Sequence, residues 1–167
     1  MKLSSLQDLY LTELKDVYDA ENRIVKALPK MADAAKSPDL RQAFEQHLQE
    51  TLGHVDRLER IFQDMGEAPK GQKCKGMEGL LDEGEDMIDM GEDAPDTVND
   101  AALISAAQRV EHYEIAAYGT LRTFARQLGR EQDAQLLNET LQEEGQTDKK
   151  LTSLAESHIN QDAKISR

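Results

Sequence analysis

The sequence predicts an all-α domain built as a bundle of four long helices. Three observations predict it. Apolar residues recur at alternating steps of three and four in four separate long segments. No segment of any length alternates with the period of two that a strand needs. A connection of roughly 30 residues separates the second long segment from the third, far beyond a tight helix–helix turn.

The first helix is expected over about 4–35. Ser4-x-x-Gln7 resembles a capping box. Its stripe is Tyr10, Leu14, Val17, Glu21, Ile24, Leu28 and Met31, and Pro29 should kink it or end its regular part. The second is expected over about 38–65. Ser37-Pro38 places an N-cap before a proline at the first helical position, and Gly66 is a stop. Its stripe runs Phe44, Leu48, Thr51, Val55, Leu58, Phe62, Met65, with Ala43, His47, Glu50 and His54 on a neighbouring line.

GEAPKGQKCKG reads as a loop, and a short amphipathic helix follows over about 76–91. Pro95 closes that connection. The third long helix is expected over about 96–128 with Gly129 as its cap. One of its lines reads Leu103, Ala107, Val110, Glu114, Ala117, Leu121, and a second reads Ala107, Glu111, Glu114, Tyr118. The fourth is expected over about 131–160, with Leu137, Leu141, Glu144, Asp148 and Leu151 as its stripe and DAKISR as a frayed tail. Two helical hairpins joined by one long crossover, here with a short fifth helix in it, is the connectivity of the ferritin-like four-helix bundle. The 167 residues suffice for one such domain.

Charge narrows the function. With 33 acidic and 20 basic residues the formal net charge is −13. Nucleic-acid backbones and anionic membranes need excess Lys and Arg, so neither is an expected partner. Cys74 is the single cysteine, which excludes an intramolecular disulfide and a Cys-rich zinc or rubredoxin-like site. Lys73 and Lys75 flank it and should lower its pKa somewhat. Two readings of it stand, a redox-active or dimer-linking thiol and a plain unreactive cysteine. MKLSSLQDLY lacks the apolar run of a signal peptide, and no segment approaches about 18 consecutive apolar residues. A cytoplasmic setting is the expectation.

Each long helix carries an acid on or beside its core stripe: Glu21, Glu50, Glu111 with Glu114, and Glu144. A buried, unpaired carboxylate costs several kcal/mol or takes up a proton. The same sacrifice in four helices points to a shared counter-charge, and a pair of divalent cations supplies one. Glu21 and Glu50 are 29 residues apart, Glu114 and Glu144 are 30 apart, so both hairpins place acids at one depth. His54 lies four residues after Glu50 and Asp148 four after Glu144, which offers each ion a second donor on the same face. LQE at 48–50 matches LQE at 141–143, which makes Glu143 a rival to Glu144. The competing account is an apo scaffold for partners, its acids solvated or paired with cations such as Arg109 and Lys149.

The blocks ELKDVYDAENRIVKALPKM, HLQETLGHVDRLE, KCKGMEGLLDEGED, DAALISAAQRVEHYEIAAYGTL and LLNETLQEEGQTDKKLT resemble the YciF-like bacterial stress proteins, a ferritin-like, rubrerythrin-related family. The resemblance runs from about residue 5 to 157. It implies a homodimer and a dinuclear non-haem site of two Fe or Mn ions per chain, with peroxide or O2 as the small oxidant. Such sites take Glu, Glu-x-x-His, Glu and Glu-x-x-His from successive helices. Glu21, Glu50 and Glu114 match. Helix two departs in its spacing to His54, and helix four has no histidine near Glu144, so Asp148 or Gln146 must substitute. On this pattern Glu114 and Glu144 (or Glu21 in place of either) bridge the ions, Glu50 and His54 complete one, and Glu111 and Asp148 the other. Tyr118 is either a core aromatic or a donor to a ligand.

Overall fold

A computed structural model describes residues 3–166. The chain is all-α. The four long helices are α1 (Leu6–Ala34), α2 (Pro38–Asp64), α4 (Asp96–Gln127) and α5 (Glu131–Leu154), with α3 (Lys75–Gly91) in the crossover. α1 pairs with α2 and α4 with α5, while α3 lies against α4 and α1. This is the ferritin-like connectivity. Among the described residues no strand is present, and no helix is long and apolar enough to cross a membrane.

The starts and stops follow local chemistry. α1 is capped one residue later than the Ser4-x-x-Gln7 pattern predicts: Ser5 accepts from the Asp8 backbone N–H, and the Asp8 carboxylate accepts from the Ser4 N–H at 3.0 Å. A carboxylate outcompetes the Gln7 amide there because it also meets the positive end of the helix dipole. Pro29 does not end α1, which runs on to Ala34. The proline removes one N–H from the ladder, while buried Leu28, Met31 and Ala32 hold the turns around it in the core. Ser37 caps α2 with Pro38 behind it, as predicted. The buried Asp100 carboxylate accepts from the Lys36 and Ser37 N–H groups at 2.8 and 2.7 Å, tying the α1–α2 turn to α4. Gly66 and Gly129 end α2 and α4 at φ of 69° and 70°, a left-handed conformation that favours glycine.

Two expectations change. Residues 162–165 are not frayed. After a wide turn at Ala155–Ile159 the chain forms α6 (Asn160–Ile165). Buried Ile159 and the Thr97–Ser166 hydroxyl contact of 3.0 Å hold this end on α4. Cys74 is fully buried as the N-cap of α3, its sulfur accepting from the Met77 N–H and lying 3.1 Å from the Tyr113 hydroxyl. Burial and the nearby Asp16 push its pKa up, against the expected lowering by its lysine neighbours, and Lys73 is engaged by Glu78 at 2.7 Å.

The core is split. One apolar cluster holds Ile24, Leu28, Phe44, Leu103, Val110 and Leu151. The other holds Tyr10, Leu14, Leu58, Phe62, Tyr118, Leu121 and Leu137. Between the two lies a buried polar layer to which α1, α2, α4 and α5 all contribute.

Candidate metal centre

The layer consists of Glu21 from α1, His47 and His54 from α2, Glu111 and Glu114 from α4, and Glu144 from α5, each at most 3% exposed. Helical spacing aims them inward. His47 and His54 are two turns apart on α2, and Glu111 and Glu114 are one turn apart on α4. Two donor sets result. His47, Glu111, Glu114 and Glu144 bring ligand atoms within 4.8 Å of one another, and so do Glu21, His54 and Glu144. Glu144 belongs to both.

The distances show a layer held together by attraction without orderly pairing. His54 Nδ1 lies 3.0 Å from Glu144 Oε1 and 3.4 Å from Glu21 Oε1. His47 Nε2 lies 3.2 Å from Glu111 Oε1 and 3.7 Å from Glu144 Oε2. Yet these nitrogens make no well-directed hydrogen bond. Among the described residues nine buried side-chain N or O atoms are unpartnered, and all but Arg122 Nε belong to these six residues. Both oxygens of Glu114 and both of Glu144 are among them. Buried polar atoms are ordinarily satisfied, so eight orphans in one layer form a donor set that fits a cation pair.

The electrostatics agree. Burial, then the charges of Glu144, Glu21 and Glu111, pushes the Glu114 pKa far above the usual carboxylate range. Burial lifts Glu144 to about 8 despite His54 beside it. Burial opposes charge on His54, but Glu144 and Glu21 outweigh it and raise its pKa to about 10. Burial likewise opposes charge on His47, and Glu111, Glu50 and Glu144 drive it well above the usual value. Among the described residues no Lys or Arg forms an ion pair with Glu21, Glu111, Glu114 or Glu144. Arg109 pairs outward with Glu83 at 3.3 Å, and Lys149 is exposed.

Side chains outside the layer orient those within it. His54 Nε2 faces Glu143 Oε2 at 2.9 Å, and Arg57 grips Glu143 with two bonds of 2.6 and 2.8 Å. Arg57 holds the Glu143 carboxyl below its usual range. With Nε2 committed to Glu143, Nδ1 is turned toward the layer. Glu50 stands behind His47 in the same way, its Oε2 3.5 Å from Nδ1. The Tyr118 hydroxyl donates to Glu21 Oε1.

Of the residues expected from sequence, the structure brings together Glu21, His54, Glu111, Glu114 and Glu144. Glu50 is displaced to the rim, 30% exposed, where Gln46 donates to it at 2.9 Å. Asp148 is not in the layer. Gln108 donates to it at 2.9 Å and His112 faces it at 3.3 Å on the outer side of α4. Four residues advance an α-helix about 40° past a full circle, and on α5 that rotation turns Asp148 away from Glu144. Between the rivals, Glu144 points inward while Glu143 sits outside, 31% exposed. His47 is the residue that sequence reading missed as a donor. Its signal was the seven-residue interval to His54, which puts both imidazoles on one coiled-coil line.

Comparison with known proteins gives a consistent picture. Residues 5–164 match the family model described as "Domain of unknown function (DUF892)". Protein YciF of Escherichia coli (strain K12) is 45% identical over 164 residues, 98% of each chain. The crystal structure of the E. coli stress protein YciF superposes with a TM-score of 0.89, covering 95% of this chain and 99% of that one. YcfI from Rhodopseudomonas palustris matches at 41% identity and a TM-score of 0.87, covering 91% and 96%. The chain therefore belongs to the YciF-like family, DUF892.

Proposed function

We propose that this protein binds two divalent metal ions, Fe or Mn, in its buried carboxylate–histidine layer and serves a bacterial stress response by reacting with peroxide or O2. The single observation that carries the reading is the set of eight unpartnered donor atoms on six residues from four helices. Their division into two sets sharing Glu144 supports a pair of ions over one. The name of the relative YciF, a stress protein, supports the setting.

The residues divide the work. His47, Glu111 and Glu114 would hold one ion, Glu21 and His54 the other, with Glu144 shared. Bound Fe or Mn supplies Lewis acidity and one-electron redox change. Four carboxylates balance the charge of two divalent ions, which is how four acids can be buried together. Glu143 and Arg57 fix the His54 ring, Glu50 steadies His47, and Tyr118 orients Glu21. The donor set is oxygen-rich with two imidazoles, which suits Fe and Mn better than soft metals.

The test is anaerobic loading with Fe(II), then one addition of peroxide. The expected result is about two irons per chain, ferric absorbance in the near ultraviolet, and a higher melting temperature than in EDTA. No uptake, and identical melting with Fe(II), Mn(II) and EDTA, would overturn the reading in favour of the apo scaffold. Light scattering on the same samples measures the homodimer that belongs to this proposal.

A further inference from the structure

α2 and α5 meet along a seam that polar side chains close. From the end nearest the α1–α2 turn, Lys150 meets Gln46 at 2.8 Å, and Thr147 meets His47 and Glu50 at 3.3 and 3.4 Å. Further along, Glu143 meets His54 at 2.9 Å, and Arg57 bonds Glu143 and Thr140. The opposite seam, between α1 and α4, is covered by α3, whereas among the described residues no helix packs on both α2 and α5. The six residues of the layer are almost fully buried. Among the described residues, the partly exposed polar side chains that bond or pair with them are Glu50, Thr147 and Glu143, and all three stand in this seam.

The seam is not equally tight along its length. Over His54, Arg57 grips Glu143 with bonds of 2.6 and 2.8 Å, and Glu143 in turn meets the imidazole. Over His47, the contacts among Glu50, Thr147 and the imidazole run from 3.3 to 3.5 Å, at the long edge of hydrogen bonding. One half is clamped and the other only touches. Glu50 is held at the rim by a chain: Lys150 donates to Gln46, and Gln46 donates to Glu50 Oε1 at 2.9 Å. Its other oxygen, Oε2, faces His47 and Thr147. Behind that contact His47 Nε2 and Glu111 Oε2 are buried and unpartnered.

We propose that divalent cations enter and leave the layer through the α2–α5 seam over His47, with Glu50 as the carboxylate that receives them at the surface and hands them to the imidazole. The inference rests on the metal-centre reading. A hard dication gives up its water only as oxygen donors replace it, and Glu50 supplies a charged one where solvent ends. Rotation about its side-chain bonds carries the carboxylate inward once Gln46 lets go, and such rotations are fast at a partly exposed residue. Glu143 does not serve in this way, because Arg57 neutralises and pins it. The route also gives Lys150 an effect. Its charge stands at the mouth and slows the approach of a cation.

The test is stopped-flow mixing of metal-free full-length protein with Co(II), whose visible bands report binding, followed by release into EDTA. Glu50→Gln should slow uptake about tenfold or more and slow release by a similar factor, because one gate sets both rates. A carboxylate that only orients His47 would act on affinity, which shows mainly as faster release. That result overturns the route. Lys150→Glu should speed uptake about threefold or more at low ionic strength, and salt should erase the gain. Lys26→Glu makes the same change in net charge on α1, which takes no part in the seam, and should leave the rate as in the parent. Equal acceleration by Lys26→Glu overturns the seam as the way in. Two ions bound per chain at rates indifferent to Glu50→Gln and Lys150→Glu sink the route and leave the metal centre standing. No Co(II) bound by the parent sinks both.

Discussion

Glu114 is 2% exposed, both its oxygens lack partners, and three carboxylates crowd it. Replacing it by leucine keeps most of the volume and removes the carboxyl. Exchanging buried ionic groups for apolar ones of similar size is neutral to stabilising, by about 1–4 kcal/mol at the favourable end. For a domain of this size each kcal/mol moves the melting temperature by about 2–4 °C. Glu114→Leu in EDTA should therefore melt at or above the parent, by up to about 16 °C. With metal the order should reverse. An ion at about 100 times its Kd adds about 2.7 kcal/mol to the native state, or roughly 5–11 °C for the parent, and the variant forfeits most of that. The assay is calorimetry of both proteins in EDTA and in excess Mn(II). A variant several degrees less stable in EDTA would mean that Glu114 makes a favourable contact, and the inference from unpartnered oxygens would fail.

Other perturbations separate the layer from its surroundings. Glu144→Ala should abolish uptake of both ions, whereas Asp148→Ala should leave about two per chain by metal analysis, since only Glu144 belongs to both donor sets. Glu143→Ala should weaken metal binding about 10- to 100-fold, measured by competition with a chelator, because it releases the outer nitrogen of His54. The metal-free protein should lose stability as pH rises. Glu144 and His54 have folded pKa values raised from 4.5 to about 8 and from 6.5 to about 10. The folded state therefore holds the extra protons, and their contribution, full below the unfolded values, fades across those two windows. Denaturant melts from pH 5 to 10 in EDTA measure this, and stability that climbed over that span would refute the assignment.

The fold was readable because helix period, caps and stops are local. Ser37-Pro38, Gly66 and Gly129 mark their boundaries without help from distant residues. The layer was readable as far as it depended on depth along each helix, which a heptad count supplies for Glu21, Glu114 and Glu144. It was unreadable where rotation decides. Asp148 and Thr147 lie four and three residues after Glu144, and only the placement of α4 and α2 beside α5 sends the first toward Gln108 and the second toward His47. His47 and Glu50 exchanged their expected ranks for the same reason. α2 is turned so that the imidazole is buried and the carboxylate behind it reaches the rim. Cys74 failed differently. Its lysine neighbours in sequence predicted one direction of pKa shift, and burial, with Asp16 beside it, imposed the other.

The layer's own charge count explains how one chain can fold before metal arrives. Glu21, Glu111, Glu114 and Glu144 carry four formal negative charges. His47, His54, Glu114 and Glu144 all have raised pKa values, so protons can offset part of that charge in the metal-free protein. Two divalent ions offset all of it. Metal ligation needs neutral imidazole and ionised carboxylate, so filling the site should release protons as the two ions enter near neutral pH. Calorimetric titration in two buffers of different ionisation enthalpy counts those protons. Binding affinity should then rise steeply with pH, opposite in sign to the stability of the metal-free protein. Uptake of two ions with no proton release would show that the carboxylates and imidazoles were already free, and the raised pKa values of the layer would have to be abandoned.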